Sequence, residues 1–169
     1  MIHQLIGNSN PISSPWPFTQ WGLDIVGPFS RATRNWRFVL EAVDYFTKWG
    51  EVEALANIWD VDVKKFVWRN IVTRFVIQES LVLDNGLQFD SKAFREFCGN
   101  LGITNQYSTP TYPQSNGQVE VTNKAIVNGL KRRLEGAKGR WADELPSVLW
   151  AYRTTQRRST RETLFFLTY

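Results

Sequence analysis

The run Ser80–Leu83 (SLVL) narrows the fold most. It is short, carries no charge, and follows a helical pattern. A strand that is apolar on both faces is covered on both faces, as strands of parallel units are. A parallel pair needs a crossover connection, so the chain is expected to be α/β. The run ends at Asp84-Asn85-Gly86. Asp-Asn-Gly is a turn signature in its own right. The carboxyl end of a parallel strand is also where α/β sheets hold ligands. Both readings stand for Asp84.

The remaining elements follow from pattern. Gln20–Val26 (QWGLDIV) alternates, with Trp21, Leu23 and Ile25 on one face and Gly22, Asp24 and Val26 on the other. A carboxylate among apolar residues in mid-strand is costly unless paired or bound to a cation. The plain alternative for Asp24 is an edge strand facing water. Trp36–Tyr45 and Trp49–Leu55 read as a hairpin joined by Phe46-Thr47-Lys48. Glu41 and Asp44 have opposite parity in it, so only one is expected to face the core, and pattern does not say which. Asp60 is expected to cap a helix with Val63, Phe66, Val67 and Ile71 as its buried stripe, and Trp68 beside them is expected to pack. Ser91 caps the next helix, which buries Phe94, Phe97, Cys98 and Leu101 and stops at Gly102.

Ile103–Tyr107 is a further short strand. The Pro-punctuated stretch STPTYPQSNGQVEVTNK (108–124) then becomes a helix near Asn116, with Val119, Ile126, Leu130 and Leu134 at helical spacing. Glu120 lies in its first turn, with Lys124 four residues on and on the same face. A capped, solvent-exposed first-turn Glu is the plain reading of that residue. A last helix is expected from about Arg140 to Thr155, kinked or broken at Pro146. Residues 1–18, with Pro11, Pro15 and Pro17, read as an extended arm outside the core. The element order implies a mixed five-stranded sheet, a three-strand antiparallel meander plus parallel strands, with helices on both faces. Asp24, Asp84 and Glu120 then come from separate elements that can converge.

Counting removes several chemistries. The chain has 169 residues, one cysteine (Cys98) and one histidine (His3). It therefore has no internal disulfide, no Ser–His–Asp triad and no multi-histidine or cysteine zinc cluster. Any hydrolytic or transfer chemistry falls to carboxylates. No apolar run approaches the length of a membrane span, so no membrane partner is expected. The net charge of +4 is uneven. Residues 1–120 carry −2 and residues 121–169 carry +6. A basic C-terminal third suggests a polyanion along one side.

The blocks PWPFTQWGLDIVGP, FVLEAVDYFTKW, LDNGLQFDSKAF, YSTPTYPQSNGQVEVTNK and LPSVLWAYRTT resemble the catalytic core of retroviral-type integrases, specifically those of gypsy-type LTR retrotransposons of plants. That family's motif is Asp, Asp, then 35 residues, then Glu. Asp84 and Glu120 have 35 residues between them, and Asp24 matches the first Asp. The resemblance implies an RNase H-like fold over residues 19–169, with residues 1–18 as the remnant of a linker after a zinc module. It implies a site of Asp24, Asp84 and Glu120 holding two Mg²⁺ or Mn²⁺ ions, and hard oxygen donors suit those ions. Ions about 3.5–4 Å apart would clamp an in-line displacement at phosphorus. The implied activity is 3′-end processing and strand transfer in DNA integration. The implied DNA contacts are Tyr112, Pro113, Gln114, Asn116, Asn123 and Lys124, with phosphate contacts along Lys131, Arg132 and Arg133. A homo-oligomer and nuclear action after a cytoplasmic particle stage are implied too.

The chain departs from the family at Val76-Ile77-Gln78, at Thr163-Leu164-Phe165-Phe166 and at Glu41, which stands where a small apolar residue is usual. Those departures keep two other functions open. One is a non-catalytic DNA-binding or assembly module. The other is an RNase H-like nuclease acting on RNA–DNA hybrids.

Overall fold

The computed structural model describes residues 16–84, 86–107, 125–126, 128–129, 131–133, 138–157 and 161–168. Its strands are β1 (Gln20–Val26), β2 (Phe38–Asp44), β3 (Gly50–Leu55), β4 (Ser80–Leu83) and β5 (Thr104–Tyr107). They form one sheet in the order β3-β2-β1-β4-β5. β1–β2 and β2–β3 are antiparallel, while β1–β4 and β4–β5 are parallel. The mixed sheet follows the alternation of the first three strands and the crossovers of the last two. β1 is central, so Asp24 is not on an edge strand.

β1 leaves the sheet through Gly27, whose φ is +133°. A Cβ there would lie 2.7 Å from the Arg37 carbonyl oxygen, so the turn back into β2 requires glycine.

Both faces of the sheet are covered. The first core joins Trp21, Leu23, Leu40, Ala42, Leu81 and Leu83 to Val63, Phe66, Val67, Ile71, Phe94 and Cys98. Those partners come from α1 (Asp60–Phe66), the π-helical turn Val67–Val72 that continues it through α2 (Thr73–Phe75), and α3 (Lys92–Asn100). The second core joins Val39, on the opposite face of β2 from Leu40, to Ile126, Trp141, Ala142, Leu145 and Val148. Most of these sit on α4 (Trp141–Thr154).

Several sequence expectations change. Asp60 is the first residue of α1 and not its cap; Trp59 holds the cap position without a side-chain bond, and Asp60 instead accepts a hydrogen bond from Ser91 Oγ at 2.9 Å. Ser91 does cap α3, accepting from Phe94 N at 3.0 Å. Trp68 is 49% exposed, because it lies in the π-helical turn, where the wider period moves it off the buried stripe. α4 runs through Pro146 as one helix and is not broken there. A short helix α5 (Leu164–Thr168), not expected from the sequence, puts Leu164 into the first core. Phe18, placed in the arm by its prolines, packs on Phe75 with ring centroids 4.7 Å apart.

One ionic cluster ties the second-face helix to the rest. The buried Glu51 carboxylate accepts from Trp49 Nε1 and Arg74 Nη1, both at 2.7 Å, and pairs with Arg153 Nη2 of α4 at 3.0 Å. Arg153 also donates to the Gly50 carbonyl and lies 4.1 Å over the Trp49 ring. Charged hydrogen bonds of this kind are each worth about 1.5–3 kcal/mol. Glu51→Gln is therefore expected to lower stability by about 2 kcal/mol in chemical denaturation. An unchanged midpoint would show that the cluster contributes nothing net.

Candidate active site

Asp24 is the fifth residue of β1 and shares a face with Gly22 and Val26, away from the first core. β4 runs parallel to β1 with Gln20 beside Ser80, Trp21 beside Leu81 and Gly22 beside Val82. Two residues further along each strand lie Asp24 and Asp84. Lateral neighbours on parallel strands point to the same face, with strands about 4.8 Å apart. Continued two residues past its last pair, the β1–β4 register sets Asp24 and Asp84 level, on the face of the second core.

Each is half-buried and oriented by the backbone. Asp24 Oδ1 accepts from Ile25 N at 2.8 Å. Asp84 Oδ1 accepts from Gly86 N at 2.9 Å. The turn reading of Asp84 is correct, and the turn stands at the carboxyl end of the parallel strand β4.

A third acid lies on this face. Glu41 is the direct cross-strand partner of Asp24 in the antiparallel β1–β2 pair. It is fully buried, and neither Oε1 nor Oε2 has a hydrogen-bond partner among the described residues. Burial, and secondarily the charge of Asp24, push its pKa up to about 8.

Asp44 is equally buried but lies on the opposite face, and its oxygens accept from Phe18 N (3.0 Å), Thr47 N (2.7 Å) and Thr47 Oγ1 (2.7 Å). The expectation that only one of these two acids faces a core is thus wrong. Parity gives the face correctly, but each face of this sheet has its own core. The signal for Glu41 was present in the sequence: it has the parity of the site face and stands opposite Asp24 once the hairpin register is known.

The two Asp carboxylates supply hard oxygen donors that suit Mg²⁺ or Mn²⁺. Among the described residues no three His, Cys, Asp or Glu side chains form a group that holds a metal. Further donors are needed for a complete shell. The orphaned Glu41 oxygens beside Asp24 fit a cation better than they fit an apolar layer.

Glu120 and the loop and helix residues Tyr112, Pro113, Gln114, Asn116, Asn123 and Lys124 lie outside the described residues. Ile126, a little further along the chain, is buried in the second core. Lys131, Arg132 and Arg133 are helical and exposed. Arg133 pairs with Glu144 at 3.0 Å. No helix among the described residues is long and apolar enough to cross a membrane.

Comparison with known proteins is consistent. The family described as integrase core domain matches residues 15–113. The chain is 30% identical over 148 residues to a Pro-Pol polyprotein of simian foamy virus type 3 (strain LK3), covering 87% of this chain and 13% of that protein. It is 24% identical over 155 residues to gypsy retrotransposon integrase-like protein 1 of Bos taurus, covering 92% of this chain and 30% of that one. The chain thus spans a minor part of these relatives. The fold resembles a simian T-cell lymphotropic virus intasome chain, with TM-score 0.81 at 18% identity over 94% of this chain and 56% of that one. It also resembles the catalytic core domain of BIV integrase, with TM-score 0.71 at 19% identity over 88% of this chain and 92% of that one. Those neighbours give the sheet its name, RNase H-like. With the family match over more than half of its length, this chain belongs to the integrase core domain family.

Proposed function

We propose that this chain is the catalytic core of a gypsy-type retrotransposon integrase, which processes 3′ ends of the element's DNA and joins them to target DNA. The observation that carries the reading is the parallel β1–β4 register, which, continued two residues, brings Asp24 level with Asp84. Glu120 is the third carboxylate in this reading, and Ile126, six residues on, packs over the same face. A plant source is the finer form of the same reading.

Asp24, Asp84 and Glu120 would hold the divalent cations. When bound, a pair of such ions supplies charge stabilisation to both the attacking and the leaving oxygen of an in-line displacement at phosphorus. The chain's own side chains hold and orient, and none of them acts as a nucleophile. The attacking groups are water in processing and the freed 3′-hydroxyl in transfer. Backbone bonds to Asp24 and Asp84 fix their carboxylates before substrate arrives. Tyr112, Pro113, Gln114 and Asn116 are proposed to meet DNA beside the site, and Asn123 and Lys124 to meet the element end. Residues 19–169 form the catalytic unit in this reading, after an arm of residues 1–18. A homo-oligomer acting in the nucleus completes it.

The test is strand transfer by the purified chain in Mg²⁺ and in Mn²⁺, with duplex ends and with RNA–DNA hybrid. Joined duplex products support the integrase. Cleavage of hybrid alone favours a nuclease. DNA binding in chelator without any transfer favours a non-catalytic module.

The basic helix gives a separate expectation. Lys131 and Arg132 are exposed and available to phosphates. Removing one cation that neutralises a phosphate lowers the slope of log K against log salt by about 0.9. Lys131→Ala with Arg132→Ala is expected to reduce that slope by about 2 in anisotropy titrations, evenly across DNA sequences. An unchanged slope would remove this face from the DNA path.

A further inference from the structure

We propose that Glu41 is an additional acidic ligand, supplied by β2, for the cation held by Asp24. The inference rests on the metal-dependent reading above and adds a residue to it. Glu41 and Asp24 are direct cross-strand partners. Side chains so paired leave the same face of the sheet, with Cβ atoms about 4.5–5.5 Å apart. Glu41 carries one methylene more than Asp24, and the charge of Asp24 acts on its carboxyl group.

No protein group among the described residues gives Glu41 a role. It is 0% exposed, and both of its oxygens lack a hydrogen-bond partner there. It takes part in none of the ion pairs found among those residues, in contrast to Glu51 and Glu53. Its strand neighbours on this face are Val39 and Val43, and its partner on β3 is Val52. An acid in such a layer is unfavourable without a compensating charge. Asp44 shows what a structural acid looks like here, with three donors on its two oxygens. A divalent cation beside Asp24 would supply the compensating charge that no described side chain gives Glu41.

The experiment is Mn²⁺ binding to the full 169-residue chain by calorimetry and electron paramagnetic resonance, with melting curves in chelator and in Mn²⁺. The parent chain is expected to bind Mn²⁺, and Asp24→Asn to abolish that binding. Glu41→Gln and Glu41→Val are expected to weaken it at least tenfold and to shrink the gain in melting temperature that Mn²⁺ produces. Melting of Glu41→Val in chelator at or above the parent's temperature separates reduced affinity from a damaged fold. Should both Glu41 variants bind Mn²⁺ as tightly as the parent while Asp24→Asn does not, this proposal fails and the metal-dependent reading stands. A parent that binds no Mn²⁺ overturns both.

Discussion

Asp24→Asn is expected to abolish metal-dependent strand transfer, by about 10³-fold or more. In the proposed site Asp24 and Asp84 hold the cations together, so loss of the Asp24 carboxylate removes a charge that binds them. Cation stabilisation of the transition state amounts to several kcal/mol, and each loss of about 1.4 kcal/mol is tenfold in rate. Asp84→Asn and Glu120→Gln are expected to behave alike. The substitutions keep side-chain shape, and the amide oxygen introduced by Asp24→Asn would still accept from Ile25 N, so the fold should persist. Asp24→Asn should even melt slightly higher in chelator, because the charge of Asp24 is one of the two causes that disfavour ionised Glu41. The measurement is product formation on a preprocessed duplex end, beside a melting curve. Any of the three variants transferring strands as well as the parent would end the assignment.

Asp44→Ala and Glu41→Val are expected to move stability in opposite directions. Asp44 satisfies two buried backbone amides and one hydroxyl, which link the entry to β1 with the β2–β3 turn. Removing it orphans those donors, and the cost is about 3–5 kcal/mol. Glu41 satisfies no described donor, so replacing it with an apolar side chain should stabilise the metal-free chain by about 1–4 kcal/mol.

The pH dependence separates the two causes. In the folded chain the pKa of Glu41 is raised from 4.5 to about 8, so between those values the native state keeps a proton that the unfolded state has lost. Stability from this group is full below about pH 4.5 and is lost as pH rises through about 8, by about 1.4 kcal/mol per pH unit within that window. Glu41→Val should flatten that fall in denaturant titrations run in chelator. A parent chain equally stable at pH 5 and pH 8 would contradict it.

Much of this was legible in the residues. The alternation in QWGLDIV marked both the strand and the face of Asp24, and SLVL marked the parallel neighbour that carries Asp84. Pattern gave helices on both faces of the sheet, but not that each face buries one of the two β2 acids. Parity separates Glu41 from Asp44, but only the packing of Ile126, Trp141 and Val148 makes the Glu41 side an interior. Trp68 escaped because the helical period changes at Val67, and no local signal marks a π-turn. Pro146 was read as a kink or a break, yet α4 runs through it as one helix, losing only the bond that residue 146 would donate to the Ala142 carbonyl. Leu164 joins the first core from five helical residues, too few for periodicity to register.

The parallel register that leads from Gly22 and Val82 to Asp24 and Asp84 has a consequence for how such a sequence can change. Their placement follows the hydrogen-bond ladder between the two backbones, which ends at Gly22 and Val82. Point replacements around them can accumulate while the spacing survives. Insertion or loss of one residue between Ser80 and Asp84 is another matter, because it turns the acid through to the opposite side of the sheet. Along that seam, changes of length disturb the placement of the two acids more than changes of identity do.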